Sequence, residues 1–135
     1  MNESEAVVKV EDVYARLDSL GYSVVPEDAR TIKYLIDRIV NKIALNTNYA
    51  TFPEQLLQMA IDMICGEFLY GKYAIGQLTG YDFKGAVKRI SEGDTTVEYA
   101  YGSGSKTPEE RFVAYIDKLR KPDKDMLAAV RSLRW

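Results

Sequence analysis

The chain is expected to fold as a mainly α-helical protein, a small bundle of about four helices with a β-hairpin or extended loop between the third and the fourth. Three observations point there. Apolar residues recur at helical steps along three stretches of the first half, a proline-led capping sequence opens another helix at Thr107, and strand-like alternation is confined to one short run before it. At 135 residues, folding buries roughly two-thirds of the unfolded surface, so one core is enough. A composition of 47% hydrophobic and 28% charged residues is that of a globular chain.

The first helix spans 9–20, where Val10, Val13, Tyr14, Leu17 and Leu20 share a face and Gly21 supplies the left-handed residue that commonly ends a helix. Pro26 suits the first turn of the second helix, in which Ile32, Leu35, Ile36, Ile39, Val40 and Ile43 trace one apolar stripe. Arg30, Lys33, Asp37, Arg38, Asn41 and Lys42 lie opposite, on a solvated or partner-facing side, and the helix fades into Asn46-Thr47-Asn48. The third helix opens near Pro53 and runs past Tyr70. Its apolar residues cover most of the circumference, which makes it central and leaves room for neighbours from other chains.

From 71 to 85, glycines at 71, 76, 80 and 85 predict a helix end and an irregular crossing. Val97, Tyr99 and Tyr101 then alternate with polar or small residues, and Glu92-Gly93-Asp94 can turn this run back on 87–90 as a hairpin. Gly102-Ser103-Gly104-Ser105 is a flexible joint. Thr107-Pro108-Glu109-Glu110 holds an N-cap, a first-turn proline and the third-position glutamate of a capping box. The fourth helix carries Phe112, Val113, Ile116 and Leu119 on one side and ends by Lys121-Pro122. Residues 123–135 form a short basic helix or a tail.

The chain has no histidine, which removes the usual general base, the usual zinc and iron ligand and every Ser-His or Cys-His pair, so a non-enzymatic role without cofactor or metal is expected. No apolar run is long enough to span a bilayer, and the acidic first residues are unlike a signal peptide, so no membrane partner is expected. The single cysteine, Cys65, sits among apolar neighbours and is expected to be buried. Net charge is only −2, yet residues 1–30 hold seven acids against three bases and residues 111–135 hold seven bases against three acids. The two ends attract each other, or the opposite ends of neighbouring chains.

Three patterns offer chemistry, each with a plainer explanation. Gly102-Ser103-Gly104-Ser105-Lys106-Thr107 lacks the spacing of a phosphate loop and the strand before it, and is better explained as hinge and N-cap. The acid pairs Glu11-Asp12, Glu27-Asp28 and Glu109-Glu110 could bind magnesium, but as first-turn residues they complement helix dipoles. The tyrosines are not interleaved with a dense basic stripe, which favours core rim or protein interface over base stacking. The C-terminal stretch is either a last helix folded on its own core or an anchor for another chain. Its arginines and terminal tryptophan, favoured at interfaces, tilt the choice toward docking.

The order of elements, with Thr95-Thr96-Val97-Glu98-Tyr99, Gly102-Ser103-Gly104, a capped helix and Leu119-Arg120-Lys121-Pro122-Asp123, resembles the small head-tail connector (adaptor, or head-completion) proteins of long-tailed phages and prophages. The resemblance implies a homo-oligomeric ring, commonly dodecameric, that docks under the portal protein and offers a surface to a tail-completion or stopper protein. DNA would pass through its lumen without sequence-specific binding. It also implies a virion location at the head-tail interface, after assembly in the host cytoplasm.

Residues 1–121 would then be the helical adaptor domain, with its hairpin or loop region at 71–106, and 122–135 the docking tail. Contacts with portal or tail are expected from Lys121, Pro122, Met126, Leu127, Val130, Arg131, Leu133, Arg134 and Trp135. Contacts with a sister subunit or the next ring are expected from Tyr73, Tyr81, Phe83, Val97, Tyr99 and Tyr101. The Tyr73 to Gly85 stretch matches no phrase of the family. The alternative is a small helical DNA-binding or regulatory domain, which would show a basic recognition helix and salt-dependent binding to DNA.

Overall fold

A computed structural model of the chain describes residues 8–47, 56–78, 81–93 and 107–133, with side chains at 8–44, 56–78, 81–90 and 107–128. These residues are mainly helical and include no strand. Helix α1 (Val10–Ser19) buries Val13 and Leu17 and stops where the periodicity predicts. Gly21 takes a φ of +92°, its N–H donates to the Asp18 carbonyl at 2.9 Å, and the Tyr22 N–H donates to the Leu17 carbonyl at 3.0 Å. This is a Schellman ending, in which a left-handed residue lets the last carbonyls find donors.

A 3-10 turn, Pro26–Asp28, leads into α2 (Ala29–Thr47). All six residues of the apolar stripe are buried, and every charged residue expected opposite it is exposed. Helix α3 (Leu57–Ala74) continues through Gly71 and ends one turn later in a second Schellman pattern. There Gly76 has a φ of +75°, and Gly76 and Gln77 donate to the Tyr73 and Lys72 carbonyls. The expected start near Pro53 lies outside the described residues.

Helix α3 is central, packing against α1, α2 and α5 (Pro108–Leu119). Its apolar circumference is covered within the chain, and Met59, Ala60, Ile61, Met63, Ile64, Cys65, Phe68 and Leu69 are all buried. A subunit from outside is not needed to cover it. Each large aliphatic side chain so buried contributes about 1.5–3 kcal/mol. The α3–α5 crossing is close because Gly66 has no side chain. A Cβ there would lie 2.8 Å from both the Arg120 nitrogen and the Ile116 carbonyl oxygen.

The main departure from the sequence reading falls at 83–93. Val87–Ile90, expected as the first strand of a hairpin, belongs to helix α4 (Phe83–Gly93), which packs against α5. Asp82 caps it, its carboxylate accepting from the Gly85 N–H at 3.0 Å, and Ala86 and Ile90 turn inward at helical spacing. The Phe83, Ala86, Val87 and Ile90 set has the period of a helix, and tertiary burial of that face decides the conformation. The second half of the expected hairpin, with Val97, Tyr99 and Tyr101, lies outside the described residues, as does the 102–106 joint.

The start of α5 is as expected. Thr107 Oγ1 accepts from the Glu110 N–H at 3.1 Å, and the Glu110 carboxylate accepts from the Thr107 N–H at 2.9 Å. Helix α6 (Lys124–Leu133) follows the Lys121-Pro122 break and packs against α2. Asp123 caps it by accepting from the Met126 N–H at 3.1 Å, while its own N–H points at the Met59 sulfur, 3.2 Å away.

Candidate interaction surface

The buried polar groups act as fasteners. Asp28 is only 2% exposed, and its carboxylate accepts from the Lys72 ammonium at 2.8 Å, the Tyr22 hydroxyl at 2.7 Å and the Val25 N–H at 3.1 Å. Burial alone would raise its pKa, but the Lys72 and Tyr22 bonds and the backbone donor outweigh it and hold the carboxyl below its ordinary value. A carboxylate so saturated is not poised to take a proton near neutral pH; it ties the 22–28 loop to α3. Arg16 joins three helices, donating to Asp62 at 2.8 Å and to the Tyr115 hydroxyl at 3.2 Å. Burial, with Asp62 nearby, pushes the Cys65 thiol up to about 12.

The acid pairs occupy first turns, as the sequence predicts. Glu11 and Asp12 open α1, Glu27 and Asp28 form the 3-10 turn, and Glu109 and Glu110 open α5. Glu110 closes the capping box, and Glu109 accepts a 2.6 Å bond from the Tyr73 hydroxyl.

Tyr73, Tyr81 and Phe83, expected at a subunit contact, meet one another inside the chain. Phe83 lies edge-on to Tyr73, Tyr81 and the fully buried Phe112, with centroids 6.3, 5.2 and 5.5 Å apart. The Tyr81 hydroxyl donates to the Leu20 carbonyl at 3.1 Å. This cluster joins α4 to α5 and to the α1 turn, and the three rings remain half-buried at its rim.

In the C-terminal segment Lys121 is exposed and 3.4 Å from Asp117, Pro122 is half-buried, and Met126 is 37% exposed. Leu127 is only 5% exposed and belongs to the core, so α6 is at least partly folded back on its own chain. Val130, Arg131 and Leu133 lie on α6 with their side chains outside the described residues, and Arg134 and Trp135 lie outside them altogether.

Two exposed helix faces of opposite charge stand out. On α1, Glu11, Asp12 and Asp18 are exposed, with the small residue Ala15 between them and Ser19 beside Asp18. Of these, only Asp18 forms an ion pair among the described residues, with Arg89 at 3.6 Å. On α2, Arg30, Lys33, Tyr34, Arg38, Asn41 and Lys42 are exposed around a single acid, Asp37. None of the four bases forms an ion pair among the described residues. Tyr34, at the centre of this face, is 62% exposed. An open groove of about 590 Å³ is lined from both helices, by Val10, Glu11 and Tyr14 of α1 and by Lys33, Ile36 and Asp37 of α2. The charge at the chain's ends was visible in sequence, but pairing the two faces requires α1 to be a helix whose acids share one side.

No family model, curated protein or solved structure matches the chain. No helix among the described residues is long and apolar enough to cross a membrane.

Proposed function

We propose that the chain is a structural subunit of the head-tail connector type, with no catalytic role. In this reading it assembles into a homo-oligomeric ring, dodecameric by analogy with the family it resembles, and docks beneath a portal protein. It then receives a tail-completion or stopper protein and lets DNA pass through its lumen, at the head-tail interface of a virion assembled in the host cytoplasm.

The observation that carries the reading is the order of the helices: a short α1, an amphipathic α2, an apolar central α3, and a capped α5 that breaks at Lys121-Pro122 before a terminal helix. Exposed contact-type side chains support it. Tyr34 and Ile75, the latter 68% exposed, are the most exposed large hydrophobic side chains among the described residues. The β-hairpin or extended loop would be confined to residues 94–106, and the tail contacts would come from Lys121, Pro122, Met126, Val130, Arg131, Leu133, Arg134 and Trp135, with Leu127 turned into the core.

Electron microscopy of the chain mixed with purified portal tests this directly. Ring-shaped density seated on the portal is the expected result; bare portals beside free monomer at high concentration would sink the proposal. A second reading, a small helical DNA-binding or regulatory domain, draws on the basic exposed face of α2. It requires salt-dependent binding to duplex DNA by the isolated chain.

A further inference from the structure

We infer that the acidic outer face of α1 in one copy docks on the basic outer face of α2 in a second copy, so that the chain assembles head to tail. The inference rests on the ring reading above and names the contact that would build the ring.

Complementarity is the first ground. Arg30, Lys33, Arg38 and Lys42 are exposed along α2 over about 18 Å of helix axis. They outnumber the single acid among them, Asp37, and their charge is uncompensated by ion pairs among the described residues. Glu11, Asp12 and Asp18 present the opposite charge along about 10 Å of α1. Shape is the second ground. Ala15, between the acids, and Ser19, beside Asp18, are small and exposed, and Tyr34 stands exposed in the middle of the basic face. A tyrosine set against small side chains, with charged pairs around it, has the anatomy of an interface centre and rim.

Because the two faces lie on different helices, neither is complementary to itself. A contact used once per pair of copies repeats until it closes into a ring or continues as a filament, whereas the same contact used twice across a two-fold axis gives a closed dimer, which the ring reading excludes. Two helix faces cover less area than a standard interface, so this contact governs which surfaces meet and in what orientation, while other surfaces add affinity. Nucleic acid is the rival occupant of the basic face, but it leaves the matching acidic face on α1 without a role.

The test uses the full chain in sedimentation velocity, with three variants altered only at exposed positions: Arg30→Glu/Arg38→Glu, Glu11→Lys/Asp18→Lys, and the chain carrying all four changes. Circular dichroism checks that each keeps its helices. Wild-type assembly is expected to weaken at least about tenfold between about 0.1 M and about 1 M salt, as the Debye length falls from about 10 to about 3 Å. Each two-site variant alone is expected to stay monomeric. Mixing the two, or combining all four changes in one chain, is expected to restore assembly, because every contact again pairs opposite charges.

Assembly unchanged in Arg30→Glu/Arg38→Glu overturns this contact and leaves the ring reading standing. A wild-type chain that stays monomeric at low salt and high concentration overturns both. Loss of duplex DNA binding in that variant, with its self-association intact, assigns the face to nucleic acid and overturns the inference.

Discussion

Replacing Gly66 by alanine should loosen the main helix crossing of the fold, although the same change elsewhere in α3 should strengthen it. A methyl group at Gly66 would lie 2.8 Å from the Arg120 nitrogen and the Ile116 carbonyl oxygen, and 3.0 Å from Leu119 Cβ. The first two atoms share the hydrogen bond that closes the last turn of α5, at 3.2 Å. Both are backbone, so no side-chain rotation relieves the clash and the helices must separate. Overpacking of this kind costs up to about 3 kcal/mol, and alanine's better helix propensity returns about 1 kcal/mol. The net loss is about 2 kcal/mol. For a chain of 135 residues, the usual unfolding entropy converts this to a Tm lower by about 7 °C. Gly71 sits on the same helix with nothing within 4 Å of its would-be Cβ. There the propensity gain stands alone, and Gly71→Ala should raise Tm by about 3 °C. Thermal melts followed by circular dichroism read both. Equal shifts of the same sign would show that α3 and α5 do not cross closely at Gly66.

Because the Asp28 carboxyl sits below its ordinary value, its pairing stabilises the chain fully above about pH 4 and is lost as pH falls through the folded-state value. Lys72→Met leaves that carboxylate buried and unpaired, at a cost of about 3 kcal/mol at neutral pH. The cost should shrink in acid as Asp28 takes a proton, and urea melts showing the same loss at both pH values would contradict the pairing. Thr107→Ala removes the α5 cap and should cost about 1 kcal/mol, seen as a lower urea midpoint; an unchanged midpoint would mean the cap is not formed in solution. Cys65, buried and with its thiol pushed up to about 12, should react with a disulfide reagent only as fast as the protein opens; immediate labelling of the native chain would contradict its burial.

Features set by local chemistry were legible in the sequence. Gly21 adopts the left-handed conformation that its place after Leu20 requires, and the Thr107–Glu110 pairing follows from four consecutive residues. The α2 stripe is buried as its spacing demands. What escaped depends on contacts distant in sequence. The helix at 83–93 was hidden because a glycine at 85 and a turn-like Glu92-Gly93-Asp94 outweighed its four apolar positions, while the rings that cover Phe83 and Tyr81, those of Tyr22, Tyr73 and Phe112, lie on other elements. The apolar circumference of α3 was legible, but not that α1, α2 and α5 would cover it. Gly66 carried one signal, a glycine inside a mainly apolar helix, whose meaning depends on which backbone lies against it. In the candidate surface, the exposed side of α2 was legible, and the inward turn of Leu127 was not.

On the function proposed above, this chain works by joining copies of itself. Native mass spectrometry of the purified chain over rising concentration tests it most directly: a single closed species of fixed subunit number, growing at the expense of monomer, is the predicted result. Monomer alone across the whole range, with or without portal present, would contradict it.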